Sequence, residues 1–147
     1  RDLSYTSELG VKEVKAIAAR KTGTLLQLTL LLPAILGGAS FGECLRLSRM
    51  ARAWGVAYQA LDDFSDLLPS LMKTGKTPFQ DLRQDRPNLV VAMGQTQASV
   101  ELQRYLLRAH QQIKALVSIH PRWCYLFEFH AVLAGKQTAL QAALQVA

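Results

Sequence analysis

Residues 40–68 read SFGECLRLSRMARAWGVAYQALDDFSDLL. At the start of this stretch, Ser40-Phe41-Gly42-Glu43 is an S-x-x-E capping box. The Ser40 hydroxyl can accept from an early backbone N–H while Glu43 reaches back to the cap. A long helix is expected from about Phe41 to Leu68, with Pro69 stopping it. Upstream, apolar residues fall at positions 11, 14, 17, 18, 25, 28, 31 and 32, a helical spacing closed by Pro33 and Gly37-Gly38.

Downstream, residues 69 to 88 hold three of the five prolines and read as a loop, with at most one turn capped by Thr77 and carrying Pro78 first. A short helix is expected from about Pro87 to Met93, ended by Gly94. A long one should follow from Thr96 or Ser99 to Ser118, then a break at His120-Pro121. The last helix is expected from about Pro121 to Gln145, loosened at Gly135. Strand alternation is nearly absent, and there is no internal repeat or linker. The fold class is all-α, in a single segment over residues 1–147.

Composition narrows the function. With 147 residues and 50% hydrophobic content, the chain can bury a core and is neither disordered nor fibrous. Cys44 and Cys124 form no CxxC site and are expected as buried thiols of a reducing compartment. The net charge of +6 raises a nucleic-acid reading, but the basic residues are scattered and form no run. Thr24 to Ala39 is the most apolar stretch, yet Gln27, Thr29 and Pro33 interrupt it, and it falls short of the roughly 20 apolar residues of a spanning helix. A soluble, cytoplasmic protein is the expectation. The chain opens on Arg1 rather than Met, which suggests a fragment or processed product.

Against this basic background, Asp62, Asp63 and Asp66 crowd into five residues near a helix end. On a helix, positions 62 and 66 share a face, with 63 offset by about 100°. At about 6 Å and an effective dielectric near 20, each pair repels by roughly 3 kcal/mol. The helix dipole disfavours anions there too. Two readings are open: a solvated acidic helix end, or a site for Mg²⁺, which takes one or two carboxylates and completes its shell with water and phosphate oxygens. Gln59 stands one turn before Asp63. Lys21-Thr22 upstream, and Gly75-Lys76, Asp81, Arg83 and Arg86 downstream, supply groups that could hold a diphosphate.

Lys21-Thr22, then Tyr58-Gln59-Ala60-Leu61-Asp62-Asp63-Phe64-Ser65-Asp66, then Gly75-Lys76, resemble the trans-isoprenyl diphosphate synthases, the polyprenyl synthetase family. That family carries a K-T pair, then F-Q-x-x-D-D-x-x-D as its second aspartate-rich motif, then G-K. Here Tyr58 replaces Phe and keeps the ring. Farther on, Arg86 and Asn88 stand where the family often has Lys and Thr. The resemblance covers about residues 11 to 95.

It implies the C-terminal half of an isoprenoid-synthase-type bundle, lacking the first aspartate-rich motif. The implied activity is Mg²⁺-dependent elongation of an allylic diphosphate with isopentenyl diphosphate. Asp62 would bind the metal directly and Asp66 through water or as a second ligand, with Asp63 a further candidate. Lys21, Lys76, Thr22 and Gln59 would contact the diphosphate. No residue is assigned as acid or base. A homodimer, or a missing N-terminal half, would complete the site, and the fragment alone is expected to be inactive. The other reading kept open is a non-catalytic helical subunit that modulates a partner synthase. His110, His120 and His130 share no helix face and find no carboxylate or cysteine set for zinc, so they read as structural or surface residues. Trp123, Tyr125, Phe127 and Phe129 read as core or subunit contact.

Overall fold

The computed structural model describes residues 22–74 and 88–146, and every regular element among them is helical. Helix α1 covers 22–36. It is followed by α2 (Phe41–Thr74), α3 (Leu89–Met93), α4 (Gln95–Ile119), a 3-10 turn (Pro121–Trp123) and α5 (Leu126–Val146).

The local signals act much as their chemistry dictates. Gly38 adopts φ of 72° beyond α1, and its N–H and that of Ala39 donate to the carbonyls of Ile35 and Ala34. This pairing is a Schellman motif, which needs a residue tolerant of positive φ. The capping box forms at α2: Ser40 N–H donates to Glu43 Oε2 at 2.8 Å, and Glu43 N–H donates to Ser40 Oγ at 3.3 Å. Glu43 is buried and also accepts from Arg122 Nη2 and Trp123 Nε1, each at 2.8 Å. The Ser40 backbone bond, then Trp123, Arg122 and the Ser40 hydroxyl, hold its pKa down to about 2. One carboxylate thus starts α2 and ties it to the turn before α5.

Prolines behave differently from expectation. Helix α2 runs through Pro69 to Thr74, and α1 continues past Pro33 to residue 36. A proline deletes its own N–H bond and crowds the carbonyl of residue i−4, but its φ is already helical. Flanking turns can therefore carry the helix past it. The expected turn at Thr77-Pro78 lies outside the described residues. Asn88, not Pro87, opens α3: its Oδ1 accepts from the N–H groups of Val90 and Val91 at 2.9 and 3.0 Å. Gly94, with φ of 83°, separates α3 from α4. The expected single last helix is split, because His120 Nδ1 caps a 3-10 turn through Arg122 N–H, and α5 then passes Gly135 unbroken. Cys124 is exposed and Cys44 half-buried, and both are free, so the expectation of two buried thiols fails for Cys124.

Two apolar clusters hold the helices. One packs Leu47, Met50 and Trp54 of α2 against Ile113 and Leu116 of α4 and Leu126 of α5. The other packs Ala57, Leu61 and Phe64 against Leu89, Leu102, Leu106 and Leu140. Early α2 meets late α4 and late α2 meets early α4, so these two are antiparallel, and α5 runs alongside α2 in the same direction. At its start, α1 touches α2 backbone to backbone. A Cβ placed on Gly55 would lie 2.6 Å from Gly23 Cα, a distance no side chain could occupy. The opposite side of α1 is apolar and uncovered: Leu25, Leu28, Leu32, Ile35 and Leu36 are 59–81% exposed.

Candidate functional site: an aspartate face on α2

The late part of α2 carries a buried arc and an open one. Val56, Ala57, Ala60, Leu61 and Phe64 face the core. Tyr58, Asp62, Ser65 and Asp66 are exposed and cluster on the other side, as a helical repeat of about 100° per residue requires. Asp62 and Asp66, one turn apart, thus present two carboxylates to the same space.

Asp63 is turned away from them. It stands one turn beyond Ala60 at the edge of the buried arc and is only 4% exposed. Its Oδ1 accepts from Gln59 Nε2 at 2.9 Å, and its Oδ2 accepts from the Leu89 backbone N–H at 2.7 Å. Asn88 Nδ2 reaches the Asp63 carbonyl at 3.5 Å. Burial pushes the Asp63 pKa up, the two hydrogen bonds oppose this, and the neighbouring charges of Asp62 and Asp66 add to the rise. Both Asp63 oxygens and the Gln59 amide are therefore engaged inside the protein, joining α2 to α3.

Thr22 is the first described residue of α1. A Cβ on Gly55 would meet its carbonyl carbon at 3.4 Å. Gly55 lies on the same side of α2 as Asp62, two turns earlier, or about 10 Å along the axis. Thr22 thus stands beside α2 about two turns before Asp62. Lys21, Lys76, Asp81, Arg83 and Arg86 lie outside the described residues.

On its other flank Asp62 borders a cleft of about 360 Å³ between α2 and α5, lined by Tyr58, Leu61, Asp62 and Ser65 on one side and Lys136, Ala139 and Leu140 on the other. Lys136 Nζ stands 5.8 Å from the centroid of the Tyr58 ring, a cation–π distance. Sequence reasoning passed over this lysine. The available signal was that Lys136 is the one Lys, Arg, Asp or Glu after Glu128.

Among the described residues no group of three or more His, Cys, Asp and Glu gathers to hold a metal by itself. The donor set does suit a hard cation that shares its shell: two exposed carboxylates one turn apart, with a cleft beside Asp62 that has room for water and phosphate oxygens. The histidines are used internally. Trp54 Nε1 donates to His130 Nδ1 at 3.2 Å, and the His110 ring centroid lies 5.3 Å from that of His130.

Residues 2–119 match the family model described as polyprenyl synthetase. The chain belongs to that family. Its relatives include geranylgeranyl pyrophosphate synthase 7, chloroplastic, of Arabidopsis thaliana, 33% identical over 73% of this chain and 31% of the relative. The heterodimeric geranylgeranyl pyrophosphate synthase large subunit 1, chloroplastic, of the same plant is 35% identical over 60% of this chain and 24% of its own length. A dimethylallyltranstransferase of Fischerella ambigua (strain UTEX 1903) is 31% identical over 66% of this chain and 28% of the relative. The chain thus spans less than a third of these curated relatives. No solved structure gives a significant match. Helix α5, with Lys136, lies beyond the matched residues of this polyprenyl synthetase family member. Among the described residues no helix is long and apolar enough to cross a membrane.

Proposed function

We propose that this chain forms the metal- and diphosphate-binding wall of a Mg²⁺-dependent prenyl transferase, which elongates an allylic diphosphate with isopentenyl diphosphate. The observation that carries the reading is the pairing of Asp62 and Asp66 on one open turn of α2, within a family member whose matched residues include that turn.

Each residue has a physical task. Asp62 and Asp66 supply the hard oxygens that would hold the metal, Asp62 directly and Asp66 directly or through water. Bound there, Mg²⁺ would offset the negative charge of the departing diphosphate. Lys21 and Lys76 donate to the same diphosphate, as does the Thr22 hydroxyl, and such fixed donors favour charge as it develops. Gln59 acts one step back, by holding Asp63, and Asp63 acts by fixing α3 against α2. The outward leucines of α1 suit the prenyl chain, which needs an apolar wall that excludes water.

An opposing aspartate cluster completes such a site, supplied by further protein of the same enzyme, in a homodimer or as a missing half. The expectation of a cytoplasmic protein draws no support from the relatives, several of whose names are chloroplastic or mitochondrial. The second reading is a non-catalytic helical subunit that modulates a partner synthase; one relative is named as a subunit of a heterodimer, which bears on pairing and not on the loss of catalysis.

Calorimetric titration of geranyl diphosphate into the chain, with and without Mg²⁺, separates the two. Metal-dependent binding that disappears in the double variant Asp62→Ala, Asp66→Ala is expected. Binding that survives both substitutions refutes the metal site and leaves the subunit reading.

A further inference from the structure

We propose that Lys136 is a diphosphate-binding residue at the Asp62 site, contributed by a helix beyond the residues the family model matches. This rests on the reading of Asp62 and Asp66 as a metal–diphosphate site. Lys136 and Asp62 line the same cleft from opposite walls, α5 and α2. The Lys136 ammonium lies above Tyr58, one turn before Asp62, so the lysine reaches across the cleft toward the aspartate face. At an exposed position a cation–π contact is weak, and an anion arriving in the cleft can displace it.

Asp62 alone repels a diphosphate and accepts one only when a metal intervenes. The Ser65 hydroxyl donates its proton to the Leu61 carbonyl at 2.8 Å, so it has none left for an anion. Tyr58 offers the cleft a ring face and a phenol. Among the described residues that line this cleft, Lys136 is the positively charged donor. An ammonium is a compact charge suited to phosphate oxygens and needs no fixed approach geometry. A diphosphate held through metal at Asp62 would thus meet Lys136 on its far side, bracketed between two positive centres.

The experiment uses the full chain, with Mg²⁺ and inorganic pyrophosphate as probes in calorimetry. Lys136→Gln is expected to weaken pyrophosphate binding at saturating Mg²⁺ by about tenfold or more, the loss of one charge-assisted bond. Lys136→Arg should restore most of it. In the absence of pyrophosphate, Lys136→Gln should bind Mg²⁺ no more weakly than the parent, because removing a cation lightens the repulsion on the metal. A general structural defect would weaken both. Because Lys136 is exposed, neither substitution disturbs the core. Unchanged pyrophosphate affinity in Lys136→Gln, alongside its loss in Asp62→Ala, overturns the assignment of Lys136 while the metal site stands. Pyrophosphate binding that persists in Asp62→Ala, or fails in the parent chain, brings down the metal-site reading and this inference with it.

Discussion

Asp63 Oδ2 accepts the Leu89 backbone N–H at 2.7 Å, and this one bond ties the aspartate motif on α2 to the first residue of α3. Two adjacent aspartates of the same motif therefore do opposite work: Asp62 faces out, and Asp63 is part of the interior.

Asp63→Ala should destabilise the chain by about 1–3 kcal/mol, since it strands the Leu89 N–H and the Gln59 amide. Asp63→Asn should be far milder, because its Oδ1 can still accept from Leu89 and its amide can pair with a flipped Gln59. The folded-state pKa of Asp63 is raised, so its contribution to stability is present below the ordinary value of 3.8 and lost as pH rises through the folded value. Asn does not titrate. Urea unfolding should show Asp63→Asn gaining on the parent as pH rises from 3.8, and a constant difference would contradict the buried charge.

Glu43 titrates in the reverse sense. Its folded pKa lies at about 2 against an ordinary 4.5, so the stability it gives is present above 4.5 and lost as pH falls toward 2. Glu43→Gln should lower the melting temperature at neutral pH by several degrees and flatten the acid limb. A melting temperature unmoved at pH 7 would show that the junction of α2 with Arg122 and Trp123 contributes little.

His130 accepts from Trp54 through Nδ1 and is neutral in that bond. Burial first, then the neighbouring His110, lowers its pKa. The stability linked to it is thus present above 6.5 and declines as pH falls below that toward the folded value. The groups around it are Trp54 on α2, His110 on α4 and, through His110, Phe127 on α5. Protonation at Nδ1 would set two donors face to face. The Trp54 indole N–H resonance should shift below pH 6.5, and His130→Gln should abolish that shift. Persistence of the shift in His130→Gln would assign it elsewhere.

Gly55→Ala should destabilise by about 1–3 kcal/mol, because its methyl would overlap the Gly23 backbone and push α1 away. It should also weaken diphosphate binding several-fold by moving Thr22, without altering any atom of the aspartate face. Unfolding and titration of the same variant measure both effects.

Much of this was legible in residue order. The capping box at Ser40, the glycine stops at Gly38 and Gly94, and the break at His120-Pro121 are local events, each decided by a few neighbouring atoms, and local chemistry foretold them. Pro69 misled because its φ is already helical, so the turns on either side carry α2 past it despite the local cost. The aspartates could be counted but not aimed. Whether position 63 turns inward depends on the rotation of α2, and only Val56 and Ala60, two turns and one turn before it, hinted at the answer. Lys136 could be noticed as the one charged side chain after Glu128 but not placed, because its meaning comes from Tyr58 on another helix, a juxtaposition that only tertiary folding creates.

Helix α1 turns Leu25, Leu28 and Leu32 out to water, while Gly23 and Ala34 are buried and Leu26, Leu30 and Leu31 pack inward. Its backbone amides are consequently a built-in gauge. Deuterium should enter α1 readily while Leu25, Leu28 and Leu32 face water, and more slowly once a prenyl tail lies along them. Occupancy of the apolar wall could then be read from the chain itself, with no label and no turnover.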